Sequence, residues 1–204
     1  MHILRLATTN QGKIKELEQM LALYPIQVRG LGDLSGFSVE EDGVTFQQNA
    51  AKKALACFNL TQEPSLADDS GLLVTALNGA PGVRSARYTP CQPGISQDAS
   101  NRKHLLENLK EVSDRSAFFV CCLAYCTSPN TCVFFEKTLH GSIALEEKGM
   151  NGFGYDSVFT PQGFSCTLAE LTSQEKNHIS HRKKALDAFI AYHQSMHPHL
   201  YAPI

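Results

Sequence analysis

Short apolar runs alternate with amphipathic stretches along the first half of the chain. Ile3-Leu4-Arg5-Leu6-Ala7 predicts a strand, and Thr8-Thr9-Asn10-Gln11-Gly12-Lys13 a polar turn after it. Ile14, Leu17 and Leu21 then recur at helical spacing, with Lys15, Glu16 and Glu18 between them. Ile26-Gln27-Val28 is a second strand, and a Gly-, Ser- and Asp-rich loop runs from Gly30 to Gly43. Thr45 with Gln48 three residues on is a capping-box pattern, opening a helix whose apolar side is Phe46, Ala50, Ala51, Ala54, Leu55 and Phe58. Leu66-Ala67 and Leu72-Leu73-Val74 bracket a polar insert, and Leu77-Asn78-Gly79-Ala80-Pro81-Gly82-Val83 carries strong turn chemistry.

The second half reads differently. Gln97 to Leu109 predicts a helix with Leu105, Leu106 and Leu109 inward. Ala117 to Cys126 and Cys132 to His140 are long strand candidates, joined as a hairpin through Thr127-Ser128-Pro129-Asn130-Thr131. Ser157-Val158-Phe159 reads as a short strand, and Thr172 with Glu175 as another capping box. Ser180 is placed to cap a last helix striped by Leu186, Phe189 and Ile190. From His193 to Ile204 the pattern is lost; this tail is expected to fray, and its histidines show no helical ligand spacing. Alternating strands and helices followed by a strand pair predict an α/β fold with a mixed sheet.

The 204 residues can bury a substantial core as one domain or two small lobes. A composition of 43% hydrophobic and 19% charged residues is that of an ordinary globular chain. The net charge of −2 argues against a general nucleic-acid or membrane surface, and leaves room for a small anionic substrate managed by local cations. There is no apolar run of about 18 residues for a membrane helix, nor a leader ahead of the first strand, so the cytoplasm is expected. The seven cysteines form no C-x-x-C pair and no zinc spacing, and are expected to be structural free thiols.

Chemistry concentrates in a few stretches. In Leu66-Ala67-Asp68-Asp69-Ser70-Gly71-Leu72 two adjacent carboxylates follow an apolar pair. Buried carboxylates are costly without a compensating partner. The pair suits Mg²⁺, which binds through one or two carboxylates plus substrate phosphates; the competing reading is a polar turn. Lys13 lies where a strand hands over to a helix N-terminus, a place suited to phosphate, although the spacing matches no Walker A loop. The acidic triplet Glu40-Glu41-Asp42 precedes a helix, as favourable dipole placement or as a further metal acid. Lys52 and Lys53 follow on that helix as solvated cations, one of them within reach of phosphate. Three glycines around Phe153 and Tyr155, between Gly149 and Asp156, allow close approach to a flat ligand or a tight packed loop. Lys176, His181, Arg182, Lys183 and Lys184 crowd the start of the last helix against its dipole, which points to an anionic or keto-rich neighbour.

Taken in order, six blocks resemble the inosine triphosphate pyrophosphatase family in its bacterial form. They are Ala7 to Lys13; Glu40 to Phe46 with Asn49-Ala50; Ala67 to Leu72; Gly79-Ala80-Pro81-Gly82 with Ser85-Ala86-Arg87-Tyr88; Gly152-Phe153-Gly154-Tyr155-Asp156; and Ala169 to Thr172 with Glu175-Lys176-Asn177 and Ser180-His181-Arg182. They span nearly the whole chain. Asp42 and Gln48 depart from the family's usual residues.

The resemblance implies an elongated two-lobed α/β fold with a long central mixed sheet flanked by helices, an active site in the cleft between the lobes, and a homodimer. It implies Mg²⁺-dependent removal of pyrophosphate from ITP, dITP and XTP. By the same resemblance Thr8, Thr9, Asn10, Gln11, Gly12 and Lys13 bind phosphate, Glu40 and Asp69 are the metal acids, and Asp69 is the proton acceptor. Ser70, Phe153, Gly154, Tyr155, Asp156, Lys176, His181 and Arg182 are the remaining substrate contacts. Whether Glu40 or Glu41 faces the metal, and whether Asp68 or Asp69 is the base, stays open. Three other readings compete: a Maf-type nucleotide pyrophosphatase, a nucleotide-sensing module without turnover, and a structural protein.

Overall fold

The fold was analysed in a computed structural model, which describes residues 2–32, 34 and 36–202. The expected loop from Gly30 to Gly43 therefore includes Asp33 and Ser35 outside the described residues, as are Pro203 and Ile204 of the tail. Strand β1 (His2–Leu6) leads into helix α1 (Gln11–Leu21), and β2 (Ile26–Arg29) into α2 (Phe46–Thr61). Then come β3 (Ser65–Val74), α3 (Gln97–Asn108), β4 (Ser116–Ser128), β5 (Thr131–Ile143), β6 (Phe159–Pro161), α4 (Ser173–Ile179) and α5 (His181–Met196). The strands form one six-stranded sheet in the order β2-β1-β3-β4-β5-β6. β1 runs parallel to both β2 and β3, whereas β5 and β6 are antiparallel, so the sheet is mixed.

Two compact units divide the chain. The first comprises Met1–Asp69, Cys121–Lys137 and Arg182–Ile204; the second comprises Ser70–Val120 and Thr138–His181. β3, β4 and β5 each contribute residues to both. Each unit has its own core. In the first, Leu4, Leu6, Leu17, Leu21, Leu66, Leu123 and Phe189 pack together; in the second, Leu72, Val74, Leu105, Phe119, Val158 and Phe159 do. No helix among the described residues is long and apolar enough to cross a membrane.

Local chemistry explains the helix starts. Asn10 caps α1 by accepting from the Lys13 N–H, and Thr45 caps α2 by accepting from the Gln48 N–H. The Gln48 side chain reaches back to the N–H of Val44, one residue earlier than a capping box requires. Thr172 and Glu175 form the full reciprocal box on α4, as expected.

Several elements differ from expectation. The Asp-Asp-Ser-Gly segment is no turn: it continues a ten-residue strand that is buried at nearly every position. β3 lies inside the sheet, parallel to β1 on one side and next to β4 on the other, and burial on both of its faces removes the period-two signal from the sequence. β4 and β5 extend to Ser128 and from Thr131, so only Pro129 and Asn130 turn the hairpin. Residues 156–158 form a 3-10 turn, and the strand after them starts at Phe159. The tail expected to fray begins inside the last turn of α5, where His193 is fully buried. Cys126 and Cys132, expected as free thiols, are joined by a disulfide across the hairpin; Cys57, Cys91, Cys121, Cys122 and Cys166 are free. β4 and β5 bring that pair within 4.2 Å at their Cα atoms, a proximity that spacing alone did not reveal.

Candidate active site

β3 carries Asp68 and Asp69 into the interior of the first unit, where each meets cations from different helices. Lys13, on the first turn of α1, places Nζ 2.5 Å from Asp68 Oδ1. Arg182, at the start of α5, donates from Nε to Asp68 Oδ2 at 2.7 Å and from Nη1 to Glu16 Oε2 at 2.5 Å. The Cys121 thiol donates to Asp68 Oδ2 at 3.2 Å. Burial alone would raise the Asp68 carboxyl, but the guanidinium and the Lys13 ammonium hold it well below the usual carboxylate range. The same burial, with the Asp68 charge beside it, pushes the Cys121 thiol well above its usual value, so it stays protonated.

Asp69 is in a different state. Lys53 Nζ lies 2.9 Å from Asp69 Oδ1, 2.9 Å from Glu41 Oε2 and 2.9 Å from the Asp68 carbonyl oxygen. Glu41 and Asp69 thus share one ammonium. Burial pushes Asp69 up to about 6, against the pull of Lys53 and Lys13, while the neighbouring Glu41 carboxyl adds to the rise. Burial also acts to raise Glu41, but Lys53 outweighs it and the carboxyl is lowered. The two acids titrate as a pair, and Asp69 is the member that takes up a proton first as pH falls. Asp69 Oδ2 is buried and has no hydrogen-bond partner.

The acidic segment is positioned by Asn49, whose side chain accepts from the Gly43 N–H at 2.8 Å. A Cβ on Gly43 would come within 2.5 Å of that Asn49 oxygen, so a glycine is needed for the clasp. The clasp presents Glu41 to Lys53 and leaves Glu40 exposed. Glu41, and not Glu40, is therefore the member of the triplet that meets Asp69. Asp42 pairs with the exposed Lys52. In the turn before α1, the Thr8 hydroxyl accepts from the Asn10 N–H, Gln11 donates to the Thr9 carbonyl, and Gly12 and Lys13 complete the first turn. Ser70 follows Asp69 on β3 and is half-buried.

The second unit holds another polar cluster. Lys176 Nζ sits 2.5 Å from Asp156 Oδ2 and 4.7 Å from the centroid of the Phe153 ring. Asp156 Oδ2 also accepts from the Phe153 N–H at 2.8 Å. A Cβ at Gly152, whose φ is +75°, would meet that oxygen at 2.1 Å; the loop closes only on glycine. The Gly154 N–H donates to Asp98 and its carbonyl accepts from Arg102, while the Tyr155 hydroxyl donates to the Ser85 carbonyl. His181 is buried with its ring stacked on Phe119 at 4.7 Å and 5°.

Most residues singled out in the sequence thus fall into two clusters. Arg182 is the main departure: expected among base contacts, it is bonded to Asp68 and Glu16 instead. His181 and Arg182 are adjacent in sequence but serve different clusters. Two charged members of the first cluster lie outside the site residues expected from the sequence: Lys53, read there as solvated or within reach of phosphate, and Glu16. Both sit on the buried helical stripe, Lys53 with Phe46, Ala50, Ala54 and Cys57, and Glu16 with Leu17 and Met20. A charge at a core position of an amphipathic helix was the available signal.

The chain is similar to known proteins over most of its length. The Ham1 family model matches residues 4–192. A dITP/XTP pyrophosphatase of Desulfotalea psychrophila is 45% identical over 182 residues, covering 89% of this chain and 80% of the relative. One from Haemophilus influenzae is 45% identical over 185 residues, covering 89% and 93%. A HAM1 protein from Coxiella burnetii superposes with a TM-score of 0.86 at 39% identity, covering 96% of this chain and 100% of that one. The nucleoside-triphosphatase / dITP/XTP pyrophosphatase of Mycobacterium abscessus gives 0.73 at 39% identity, covering 92% and 98%. Sequence and structure together show that the chain belongs to the Ham1 family.

Proposed function

We propose that the protein is a Mg²⁺-dependent nucleoside triphosphate pyrophosphatase that hydrolyses ITP, dITP and XTP to the monophosphate and pyrophosphate. Its role is to clear deaminated purines from the cytoplasmic nucleotide pool. The observation that carries this reading is the Glu41–Lys53–Asp69 arrangement with its buried, unpartnered Asp69 Oδ2. A buried carboxylate oxygen without a partner is costly, and a hard cation with oxygen ligands relieves that cost. Relatives that carry the dITP/XTP pyrophosphatase name supply the substrate class.

Asp69 and Glu41 would hold the ion, with Glu41 taking the place that the resemblance gave to Glu40. When bound, Mg²⁺ offsets charge on the triphosphate oxygens. Lys13 neutralises phosphate from the first turn of α1, with the segment from Thr8 to Gly12 offering backbone donors. Asp69 accepts a proton from the attacking water as the new phosphorus–oxygen bond forms and pyrophosphate leaves with the electrons of the broken anhydride bond. Asp68 is unsuited to that role: clamped by Arg182 and Lys13, it is too weak a base, whereas Asp69, raised by burial, is the more basic of the two. Arg182 and Asp68 are positioning residues for Lys13 and β3.

The base end is assigned to Phe153, Gly154, Tyr155, Asp156, Lys176 and His181, with Ser70 as a further contact. Donors aimed at the 6-keto oxygen accept hypoxanthine and xanthine and face the amino group of adenine donor to donor. A mismatch of that kind is worth on the order of 10⁴-fold. The working form is a homodimer, checked by light scattering.

The test is pyrophosphate release from ITP, XTP, dITP, GTP, ATP and dTTP, with and without Mg²⁺. Metal-dependent turnover of ITP, dITP and XTP far above GTP and ATP is expected. Preference for dTTP would move the protein to a Maf-type activity, and binding without turnover would make it a sensor.

A further inference from the structure

The first unit contains a second polar cluster that the proposed chemistry does not use. His2 opens β1, His193 lies in the last turn of α5, and His197 follows one helical turn after His193. The three rings pack face to edge or tilted, with centroids 4.8 Å apart for His2–His193, 4.8 Å for His2–His197 and 4.6 Å for His193–His197. One nitrogen of each lies within 4.8 Å of the other two, and this is the only such group of three ligand residues among the described residues.

Two details set the cluster apart from ordinary aromatic packing. Nε2 of His2 and Nε2 of His193 are both buried without a hydrogen-bond partner, and His193 is fully buried. Leaving two ring nitrogens unsatisfied has a desolvation cost with nothing to offset it. On the other side of its ring, His193 Nδ1 is 2.8 Å from the Tyr201 hydroxyl. A histidine with one nitrogen fixed by an outer partner and the other bare is oriented as metal-ligating histidines are. Phe189 and Tyr125 enclose His193, with ring centroids 5.7 and 6.4 Å away.

We propose that His2, His193 and His197 form a three-imidazole site for a divalent late transition-metal ion of the Zn²⁺ class, which clamps the start of β1 to the last turn of α5. The donor set selects the metal: neutral nitrogen ligands suit Zn²⁺, Co²⁺ and Ni²⁺, not Mg²⁺, which takes oxygen. Three imidazoles leave a coordination position for water. Burial, helped by the neighbouring histidines, holds His193 down at about 4, so its ring is neutral at pH 7. Contrary to the expectation for the tail, His193 and His197 are four residues apart and do have helical ligand spacing; what the sequence concealed is the third ligand, His2, separated from them by nearly the whole chain. His193 and His197 also straddle the end of α5, where the helical pattern stops.

The test uses tag-free full-length protein in excess Mg²⁺, which occupies oxygen-ligand sites and leaves imidazole sites open. Co²⁺ is titrated in and followed by its visible absorption, and Zn²⁺ is followed by competition and by melting temperature. Saturation at one Co²⁺ per chain, displaced by Zn²⁺, with a rise in melting temperature that a chelator reverses, is expected. The half-buried ligands are replaced one at a time, His2→Gln and His197→Gln, so that the folded state can be verified by circular dichroism. Each weakens binding by at least about tenfold, since even loss of an outer partner costs that much. No stoichiometric Co²⁺ uptake by the wild type, or unchanged affinity in both folded variants, overturns the proposal.

Discussion

Replacing Arg182 with Met tests the central electrostatic argument. The guanidinium is almost wholly buried and lies 2.7 Å from Asp68 Oδ2 and 2.5 Å from Glu16 Oε2; the Asp68 side chain is fully buried. At an effective dielectric of about 20, unit charges at that separation attract by about 6 kcal/mol before desolvation. Desolvation of the pair cancels much of this, but deleting one partner leaves the other's charge buried and costs about 3–5 kcal/mol. That is a large share of a typical stability of about 5–15 kcal/mol. The pH dependence has a definite sign. Asp68 is depressed in the fold, so its contribution is present above the unfolded carboxylate value of about 4 and is lost as pH falls through the folded value. Without Arg182 the carboxyl rises and takes up a proton more readily. The gap between wild type and variant therefore narrows as pH falls from 7 towards the carboxylate range. Urea unfolding at pH 7 and pH 4.5 measures it. A second arm combines Arg182→Met with Asp68→Asn, whose combined loss falls short of the sum of the single losses by about 1.5–3 kcal/mol. A loss under about 1 kcal/mol at pH 7, or full additivity in the double variant, refutes the reasoning.

Asp69→Asn abolishes turnover while leaving the fold intact by circular dichroism; near wild-type activity in the folded variant removes Asp69 from the mechanism. Mg²⁺ affinity, measured calorimetrically without substrate, is level above pH 6 and falls by about tenfold per unit below it, because the ion must displace the Asp69 proton. A flat profile between pH 5 and 7 shows that this carboxyl is not a ligand. Lys13→Ala raises KM for ITP by about tenfold or more, the scale of one lost charge-assisted contact. Unchanged KM and kcat in that variant exclude the phosphate role.

Legibility in the sequence followed burial and separation. Exposed-to-buried helices such as α1 and α2 announced themselves by period, and the α2 cap by Thr45, whereas the Asn10 cap of α1 was hidden in a polar turn. β3 did not, because a strand covered on both faces has no alternation, and its acids resemble a turn until Lys13, Lys53 and Arg182 are seen around them. The site was legible as a set of blocks but not as pairings. Sequence alone placed Arg182 beside His181, whereas the backbone at the start of α5 turns one towards Asp68 and the other onto Phe119. Lys53 looked solvated next to Lys52, although successive helical positions point about 100° apart, which lets one face solvent while the other lies on the buried stripe. Glu41 could not be separated from Glu40 without the Asn49–Gly43 clasp. The Cys126–Cys132 pair depended on a cross-strand register that the loop length suggested but did not establish.

The first unit is assembled from three separated stretches of chain, and Arg182 opens the last of them. During synthesis, β1, α1 and β3 emerge long before that arginine does. Until it arrives, Asp68 has Lys13 for a cation but lacks the guanidinium on its other oxygen. A ribosome-bound chain halted before residue 182 thus holds Asp68 and Asp69 without the guanidinium that fixes Asp68. Formation of the acid cluster is a late event in the life of the nascent chain, governed by long-range contacts that are slow to form. It follows that a stalled or truncated chain leaves the ribosome inactive and exposed to proteolysis, and that competence to act on nucleotides coincides with release of α5.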